Sequence, residues 1–344
     1  PLDALPAMLP RLRHVTALPA GAAAWAIAER ARLAADEDEL PIVVVAPSRD
    51  AADRLVGELR FHLHDDGTGD AEVTVLRLPA DDTRTWDGLS PHPDLPRERL
   101  AALRAMDEGA HHVIVVPARA LLQRVLSPET LDALCLNLEI GDIIEPADLR
   151  RLLVDRGYLA APVCEEPGTV ALRGGVVDLW PAGSPHPVRV EFFDDEIEGL
   201  ATLDAHSGRG RDPLDQLTVL PAREAVVTEA ALSRAGERTR AAVDASGSGQ
   251  VRRRRLLADL KAGLWFPGAE DYLCALHPVV PVADRLSDLG PGRVIVVDGR
   301  EGDADLDHFD RRWRERWELL AAEDRPLLDP DARYEPPETV RAAL

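Results

Sequence analysis

Pro41-Ile-Val-Val-Val-Ala46, followed directly by Pro47-Ser48-Arg49-Asp50, is the stretch that decides the fold class of this chain. An apolar run without polar alternation is typical of a strand buried on both faces of a sheet. The residues after it predict a helix that ends near Leu63, because the apolar positions recur at helical spacing. A buried strand that leads into an amphipathic helix is the building unit of an α/β sheet.

The same alternation continues along the chain. A short strand is predicted at residues 73–78, a helix at 96–108 and a second wholly apolar strand at 112–116. Near the other end, residues 293–298 have the pattern of one more buried strand, which could rejoin the first sheet. Strands that alternate with helices predict a parallel, doubly wound sheet.

The middle of the chain has a different pattern. Residues 141–144 are predicted to enter a strand, and residues 146–156 form an amphipathic helix. Two strand-like runs follow at 175–180 and 187–193, and the loop Pro181-Ala-Gly-Ser-Pro185 between them predicts an antiparallel hairpin. We therefore expect a small α+β domain here.

These patterns divide the chain into three segments. Residues 1–130 form the first part of an α/β domain, residues 131–218 form the α+β domain, and residues 219–344 form a second, mostly helical part. Within the last segment, a charged helix is predicted at 309–322 and a Pro-rich exit linker at 325–337.

Composition excludes several classes of protein. The 344 residues carry a formal charge of −21, which is atypical of a dedicated nucleic-acid binder and favours either solubility or docking to a basic partner. Cys135, Cys164 and Cys274 lie far apart, so they predict neither a zinc site nor a disulfide framework, and they indicate a reducing cytoplasm. No apolar run approaches the roughly 18 residues of a membrane span, and no signal peptide is present.

The sequence also lacks the parts of a working nucleotide site. A phosphate-binding loop needs GxxxxGK[ST], whose backbone amides, lysine and hydroxyl hold the phosphates and magnesium. The stretch before the first helix offers only Gly21, and the sole lysine of the chain, Lys261, lies in a different context. We therefore expect no ATPase activity, no cofactor and no bound metal in this chain.

Other reactive groups form no recognisable constellation. His62 and His64 are two residues apart at a helix end, so they do not share a face, and His111-His112 is expected only at a strand entry. Ser90 lacks the GxSxG elbow of a nucleophilic serine. No catalytic residue is predicted.

The predicted hairpin carries a more informative face. Two-residue alternation places Arg189, Glu191 and Phe193 on one side of a strand, and Arg173 precedes the neighbouring strand. Arginine and aromatic side chains together are typical of protein interfaces. A solvated sheet face explains the same alternation, and periodicity alone leaves both interpretations open.

Four segments, in the same order along the chain, resemble a known family. They are Trp86-Asp-Gly-Leu-Ser-Pro-His-Pro-Asp94, Val115-Val-Pro-Ala-Arg-Ala-Leu-Leu-Gln-Arg124, the hairpin Arg173-Gly-Gly-Val-Val-Asp-Leu-Trp-Pro181 with Val188-Arg-Val-Glu-Phe-Phe-Asp-Asp-Glu-Ile197, and Val219-Leu-Pro-Ala-Arg223. The hairpin is similar to the one shared by the excision-repair protein UvrB and the bacterial transcription-repair coupling factors (Mfd). The resemblance covers residues 15–225, and more weakly the rest.

Two departures distinguish these relatives. UvrB carries an intact phosphate loop, whereas this chain has Leu18-Pro19-Ala20-Gly21. UvrB also inserts a tyrosine-rich, damage-inspecting hairpin before the helix at residue 96, and residues 87–100 are too short for it and contain no tyrosine. The chain therefore resembles the N-terminal, UvrB-like module of the coupling factors.

The resemblance implies a degenerate helicase-type sheet domain made of two chain segments, with the α+β domain inserted between them. In the family the inserted domain recruits UvrA, the damage-recognition ATPase, and Arg173, Arg189 and Phe193 match its UvrA-contacting positions. The ATP- and Mg-dependent motor, the RNA polymerase contact and the DNA contact are expected elsewhere in the parent protein. The start at Pro1 and the end at Leu344 fit a fragment of it.

A second function stays open from the residues alone. The chain could be a nucleic-acid-binding helicase half, or a UvrB-like protein, that works with another motor domain. Such a protein needs a basic groove, and the only dense basic run is Arg252-Arg-Arg-Arg255. We expect that run to cap a helix or to pair with nearby acids.

Overall fold

The computed structural model describes residues 14–16, 18, 21–36, 41–67, 71–81, 88–109, 111–205, 207–246, 249–262, 266–290, 292–322 and 328–343. The strands are β1 (His14–Val15), β2 (Ile42–Ala46), β3 (Thr74–Arg77), β4 (His112–Pro117), β5 (Arg124–Leu126), β6 (Leu136–Glu139), β7 (Leu159–Ala160), β8 (Thr169–Arg173), β9 (Val176–Leu179), β10 (Val188–Phe193), β11 (Glu196–Leu203), β12 (Gly210–Leu214), β13 (Gln216–Val219), β14 (Val279–Pro281) and β15 (Val294–Val297). The α-helices are α1 (Ala22–Asp36), α2 (Arg49–Leu63), α3 (Asp94–Glu108), α4 (Pro128–Leu134), α5 (Pro146–Asp155), α6 (Glu229–Ser246), α7 (Gln250–Lys261), α8 (Leu273–Leu276), α9 (Val282–Asp288), α10 (Gly299–Ala322) and α11 (Pro337–Ala343).

A five-stranded parallel sheet, ordered β1-β15-β2-β4-β3, forms the first domain. Val44 lies opposite Val115 on one side and Ile295 on the other, and all pairings in this sheet are parallel. The predicted α/β class is therefore confirmed. The late strand does rejoin the first sheet, where β15 lies between β1 and β2.

Both faces of this sheet are covered, which explains the unbroken apolar run of β2. Val43 and Val45 belong to the core on one face, whereas Ile42 and Val44 belong to the core on the other. The helix after β2 begins where Ser48 accepts a hydrogen bond from the backbone amide of Ala51, at 3.3 Å. None of the helices within the described ranges is long and apolar enough to cross a membrane.

A second sheet is built from the middle of the chain, in the order β12-β11-β10-β9-β8-β7. Its strands are antiparallel except for the short β7–β8 pair. Leu149 and Leu153 of α5 are fully buried in its core together with Val177 and Val190. The strands β6 and β13 pair with each other, so the chain enters and leaves this region along one ribbon.

The strand entry predicted at 141–144 is wrong. The strand is β6, which ends at Glu139, and Gly141 then turns the chain with a φ of +95°. A left-handed φ of this kind favours glycine and ends a regular strand. Residues 141–144 instead form a turn that contacts the start of β11 through a single β-bridge between Ile143 and Glu196.

The tail predicted as an exit linker is ordered where it is described, from residue 328 onward. Tyr334 is 6% exposed and packs edge-on against the rings of Phe309 and Trp313 of α10. The chain then forms α11, whose Val340 is fully buried. Proline-rich composition predicted a solvated segment, but aromatic burial fixes this one on the sheet domain. The helix α10 also begins ten residues earlier than predicted, at Gly299.

Four buried charged side chains connect distant parts of the chain, and we refer to Asp81, Arg99, Glu224 and Arg333 as the buried arginine network. Arg99 of α3 donates to Glu224 and to Asp81, each at 2.8 Å, and Arg333 of the tail donates to the other oxygen of Asp81 at 2.8 Å. Burial acts to raise the pKa of Asp81, but the two guanidinium groups outweigh it and lower that pKa. Two positive and two negative charges therefore compensate one another away from water.

Candidate protein-binding site

The second sheet presents the hairpin residues that the sequence analysis selected. The strands β9 and β10 pair antiparallel, with Arg189 directly opposite Asp178, so the predicted hairpin is confirmed. The strand β8 pairs with the other edge of β9 and ends at Arg173. The turn from β8 to β9 is tight: Gly174 has a φ of +61°, and a Cβ at Gly175 would lie 3.2 Å from the carbonyl oxygen of Phe192.

Asp178 joins the two candidate arginines. Arg189 donates to it through Nε at 2.7 Å and through Nη2 at 2.9 Å, in a two-pronged contact. Arg173 donates to the same carboxylate through Nη2 at 2.6 Å. We refer to Arg173, Asp178 and Arg189 as the hairpin cluster. Forked pairs of this kind fix the direction of a guanidinium as well as its distance.

Exposure within the hairpin cluster is unequal. The side chain of Asp178 is 4% exposed, whereas those of Arg173 and Arg189 are 54% and 27% exposed. Burial acts to raise the pKa of Asp178, but the hydrogen bonds and charges of Arg189 and Arg173 outweigh it, so the pKa lies below its usual range. The cluster therefore carries one net positive charge, with a buried anion under two partly exposed cations.

Phe193 lies at the end of β10 with 72% of its surface exposed. The alternation predicted for β10 is present: Val188 and Val190 are buried in the domain core, while Arg189 is half-buried and Glu191 and Phe193 are exposed. The register shifts after Glu191, where the extra residue is Glu198 of β11. Because the bulge lies on β11, Phe193 keeps the same side as Arg189.

Sequence reasoning missed Asp178. The residue lies between the buried Val177 and Leu179 in a short apolar strand, which is an unusual place for a carboxylate. The signal available in the sequence was a carboxylate inside an apolar strand, together with arginines on the two neighbouring strands. A buried acid must find compensating donors, so it predicts where arginine side chains converge.

The other candidate positions are not brought together. Gly21 has a φ of +78° immediately before α1, and Lys261 is the last residue of α7. His112 begins β4, where its Nδ1 contacts the hydroxyl of Thr74 and burial lowers its pKa. Within the ranges that the structure describes, no group of three His, Cys, Asp or Glu side chains could hold a metal ion.

The basic run lies inside the first turns of α7 rather than at a cap. Arg255 reaches Asp259 at 3.8 Å, with its side chain 86% exposed, and Arg253 donates to the carbonyl of Gly236 at 3.1 Å. Pairing with a nearby acid, as expected, is therefore present for Arg255. With Arg240 of α6 and Gln250, Arg253 and Arg254 also line an open cavity of about 260 Å³.

One family model matches this region, and several known proteins are similar to most of the chain. Residues 136–224 match the family model described as the UvrB interaction domain. The chain is 34% identical to the transcription-repair-coupling factor of Myxococcus xanthus over 259 residues, which are 74% of this chain and 22% of that protein. The corresponding proteins of Escherichia coli and Haemophilus influenzae are 33% and 27% identical over 192 and 316 residues, which are 56% and 90% of this chain and 16% and 26% of theirs.

The resemblance drawn from the four sequence segments is therefore confirmed. The matched domain contains α5 and the whole of the six-stranded sheet, including the hairpin cluster and Phe193. The chain spans about a quarter or less of the length of these relatives.

Proposed function

We propose that this chain, which is similar over most of its length to one segment of the transcription-repair-coupling factors, is a module that binds UvrA in nucleotide excision repair. The observation that carries the proposal is the assembly of Arg173, Arg189 and Phe193 on one face of the matched UvrB interaction domain. Two oriented cations on the same face as an exposed aromatic ring suit a protein surface that carries both carboxylates and an apolar pocket.

The wider role belongs to the parent protein. We infer that this module brings UvrA to RNA polymerase stalled at a lesion, while other segments of the parent contact the polymerase and DNA. Those segments would also hold the ATP and Mg of the motor, since this chain has one lysine and no phosphate-loop motif. Its three cysteines are free thiols, which is consistent with a reducing cytoplasm.

Calorimetric titration with UvrA tests the proposal. Arg173→Ala, Arg189→Ala and Phe193→Ala should each weaken binding about thirtyfold, which corresponds to about 2 kcal/mol. Matched controls are Arg255→Ala and Phe61→Ala, because Arg255 and Phe61 are strongly exposed and lie outside the matched domain. Wild-type affinity in all three hairpin variants would show that this face is only solvated, and the proposal would then fail.

The alternative, a nucleic-acid-binding helicase half, draws on the cavity between α6 and α7, which three arginines line together with the carboxylate of Asp244. The four arginines occupy the first two turns of α7, where cations near the N-terminus oppose the helix dipole, although Arg255 pairs with Asp259 of the same helix. Titration with single- and double-stranded DNA at about 0.15 M salt tests this function. Tight binding that Arg254→Ala weakens would favour the alternative, as would DNA-stimulated ATP turnover.

A further inference from the structure

Ile143 is an exposed apolar side chain close to the proposed UvrA surface. It is 66% exposed, compared with 72% for Phe193, and both belong to the matched domain. Exposed large hydrophobic side chains next to one another mark interaction sites more often than isolated ones do. The sequence pattern of residues 141–144 predicted only a strand entry, and Ile143 has no part in the proposed UvrA contact of the hairpin.

Backbone pairing fixes which way Ile143 points. The amide of Ile144 donates to the carbonyl of Asp195 at 2.7 Å, and the amide of Ile197 donates to the carbonyl of Asp142 at 2.9 Å. These two bonds flank the antiparallel bridge between Ile143 and Glu196, which makes it a narrow pair with its side chains on the same side. The turn is therefore held beside β11 by one bridge and its two flanking hydrogen bonds.

Glu196 also pairs with Phe193 across the β10–β11 turn. Residues directly opposite on neighbouring strands share a face. Phe193, Glu196 and Ile143 therefore project from one face, with Phe193 and Ile143 about 10 Å apart across two strand spacings. An exposed carboxylate lies between two exposed apolar side chains.

The same face includes the hairpin cluster. Arg189 and Phe193 are on one side of β10, and Arg189 contacts Asp178, which contacts Arg173. From β8 across β9, β10 and β11 to residue 143 there are four strand spacings, or roughly 19 Å. That width fits within one side of a standard protein–protein interface of about 800 Å².

We propose that Ile143 is a second apolar anchor for UvrA, so that the docking surface continues beyond the hairpin onto the 141–144 turn. This inference rests on the proposed function, and continuity with that surface is the reason for choosing UvrA as the occupant. UvrA would present carboxylates to the arginines and two apolar contacts on either side of a group that pairs with Glu196.

The test is UvrA titration with Ile143→Ala and the double variant Ile143→Ala/Phe193→Ala. The single variant should weaken binding about tenfold, and the two fold-changes should multiply, because the side chains are too far apart to touch. Leu319→Ala is the control: Leu319 is 62% exposed on α10, outside the matched domain, and its loss should leave affinity unchanged. Urea unfolding should show the same stability for all variants.

The outcomes distinguish failure of the Ile143 anchor from failure of the proposed function. If Phe193→Ala weakens binding and Ile143→Ala changes it less than twofold, the anchor is refuted and the proposed function stands. If neither variant nor the arginine variants change affinity, the proposed function fails. If sedimentation shows that the chain alone self-associates and that Ile143→Ala abolishes this while UvrA affinity is retained, the occupant is a second copy and the inference is overturned.

Discussion

The buried arginine network and the hairpin cluster are both built from arginine–carboxylate pairs, but they differ in their exposure to water. In the first, Arg99 and Arg333 are 2% and 7% exposed, and their charges are balanced by Asp81 and Glu224. In the second, Asp178 is as buried as these carboxylates, but its partners Arg173 and Arg189 reach the surface. A fully buried cluster can only hold the fold together. A cluster with a buried acid and exposed bases fixes the fold on one side and presents oriented donors on the other.

The largest effect should come from breaking the buried network. Arg99→Met removes one charge and leaves Glu224 and Asp81 with fewer buried donors, which costs about 3–5 kcal/mol of unfolding free energy. Urea unfolding at neutral pH measures it. Arg104→Met on the same helix is the control, because the exposed partners of Arg104, Glu108 and Asp132, stay hydrated without it. Equal stability of the two variants would show that burial of the ion pairs does not determine how much they stabilise the fold.

Removing the buried acid of the hairpin cluster should have a smaller effect on stability and a clear effect on binding. Asp178→Ala deletes three charge-assisted hydrogen bonds, but both arginines can turn to water, so we expect a loss of about 1–3 kcal/mol. UvrA affinity should fall as well, because the guanidinium groups lose their fixed direction. Unfolding and calorimetry on the same preparation separate the two. Unchanged UvrA affinity would mean that Asp178 serves only the fold.

The pH dependence sharpens the role of Asp178. Its pKa is lower in the folded chain than in the unfolded one, so its stabilising contribution is complete above the ordinary value of about 3.9. That contribution is lost as the pH falls through the folded value. The stability difference between wild type and Asp178→Asn should therefore stay constant from neutral pH down to about pH 5 and narrow as the pH falls below about 4. Urea unfolding at several pH values measures it, and a constant difference would contradict the assignment.

The smallest effect should come from an arginine–carboxylate pair that is wholly at the surface. Arg255 lies 3.8 Å from Asp259 with 86% of its side chain exposed. Its replacement by alanine should change the unfolding free energy by less than about 0.5 kcal/mol and leave UvrA affinity unchanged. Thermal melts and calorimetry check both values. A large loss of stability would show that solvent exposure does not explain the different stabilising effects of the buried network, the hairpin cluster and this surface pair.

The sequence predicted those parts of the fold that depend on a local pattern. The apolar run of β2, the helix that ends at Leu63 and the β9–β10 hairpin follow from periodicity, and the structure has them at nearly the expected residues. The position of β15 between β1 and β2 depends on contacts across the whole chain. The apolar pattern of residues 293–298 predicted a strand in that sheet, but it did not predict which strands would be its neighbours.

The errors have a common physical cause. The 325–337 tail was assigned from its prolines, and the burial of Tyr334 against α10 is a tertiary contact that composition does not encode. Asp178 is a similar case, because its function depends on arginines from two neighbouring strands. Alternation along one strand was enough to select Arg189 and Phe193 as candidate residues. To identify Asp178 as the acid that orients the arginines, the pairing register of β8, β9 and β10 was required.

The central place of β15 has a consequence for the order of folding during synthesis. The strands β1 and β2 flank a strand that begins at residue 294, so their sheet cannot be completed until Val294–Val297 have left the ribosome. The six-stranded sheet between residues 159 and 214, with the Ile143–Glu196 bridge beside it, pairs only with residues that precede residue 215 and can form earlier. We therefore expect the nascent chain to display a finished docking domain while the sheet that supports it is still open, a period in which a chaperone has more to protect on β2 than on β10.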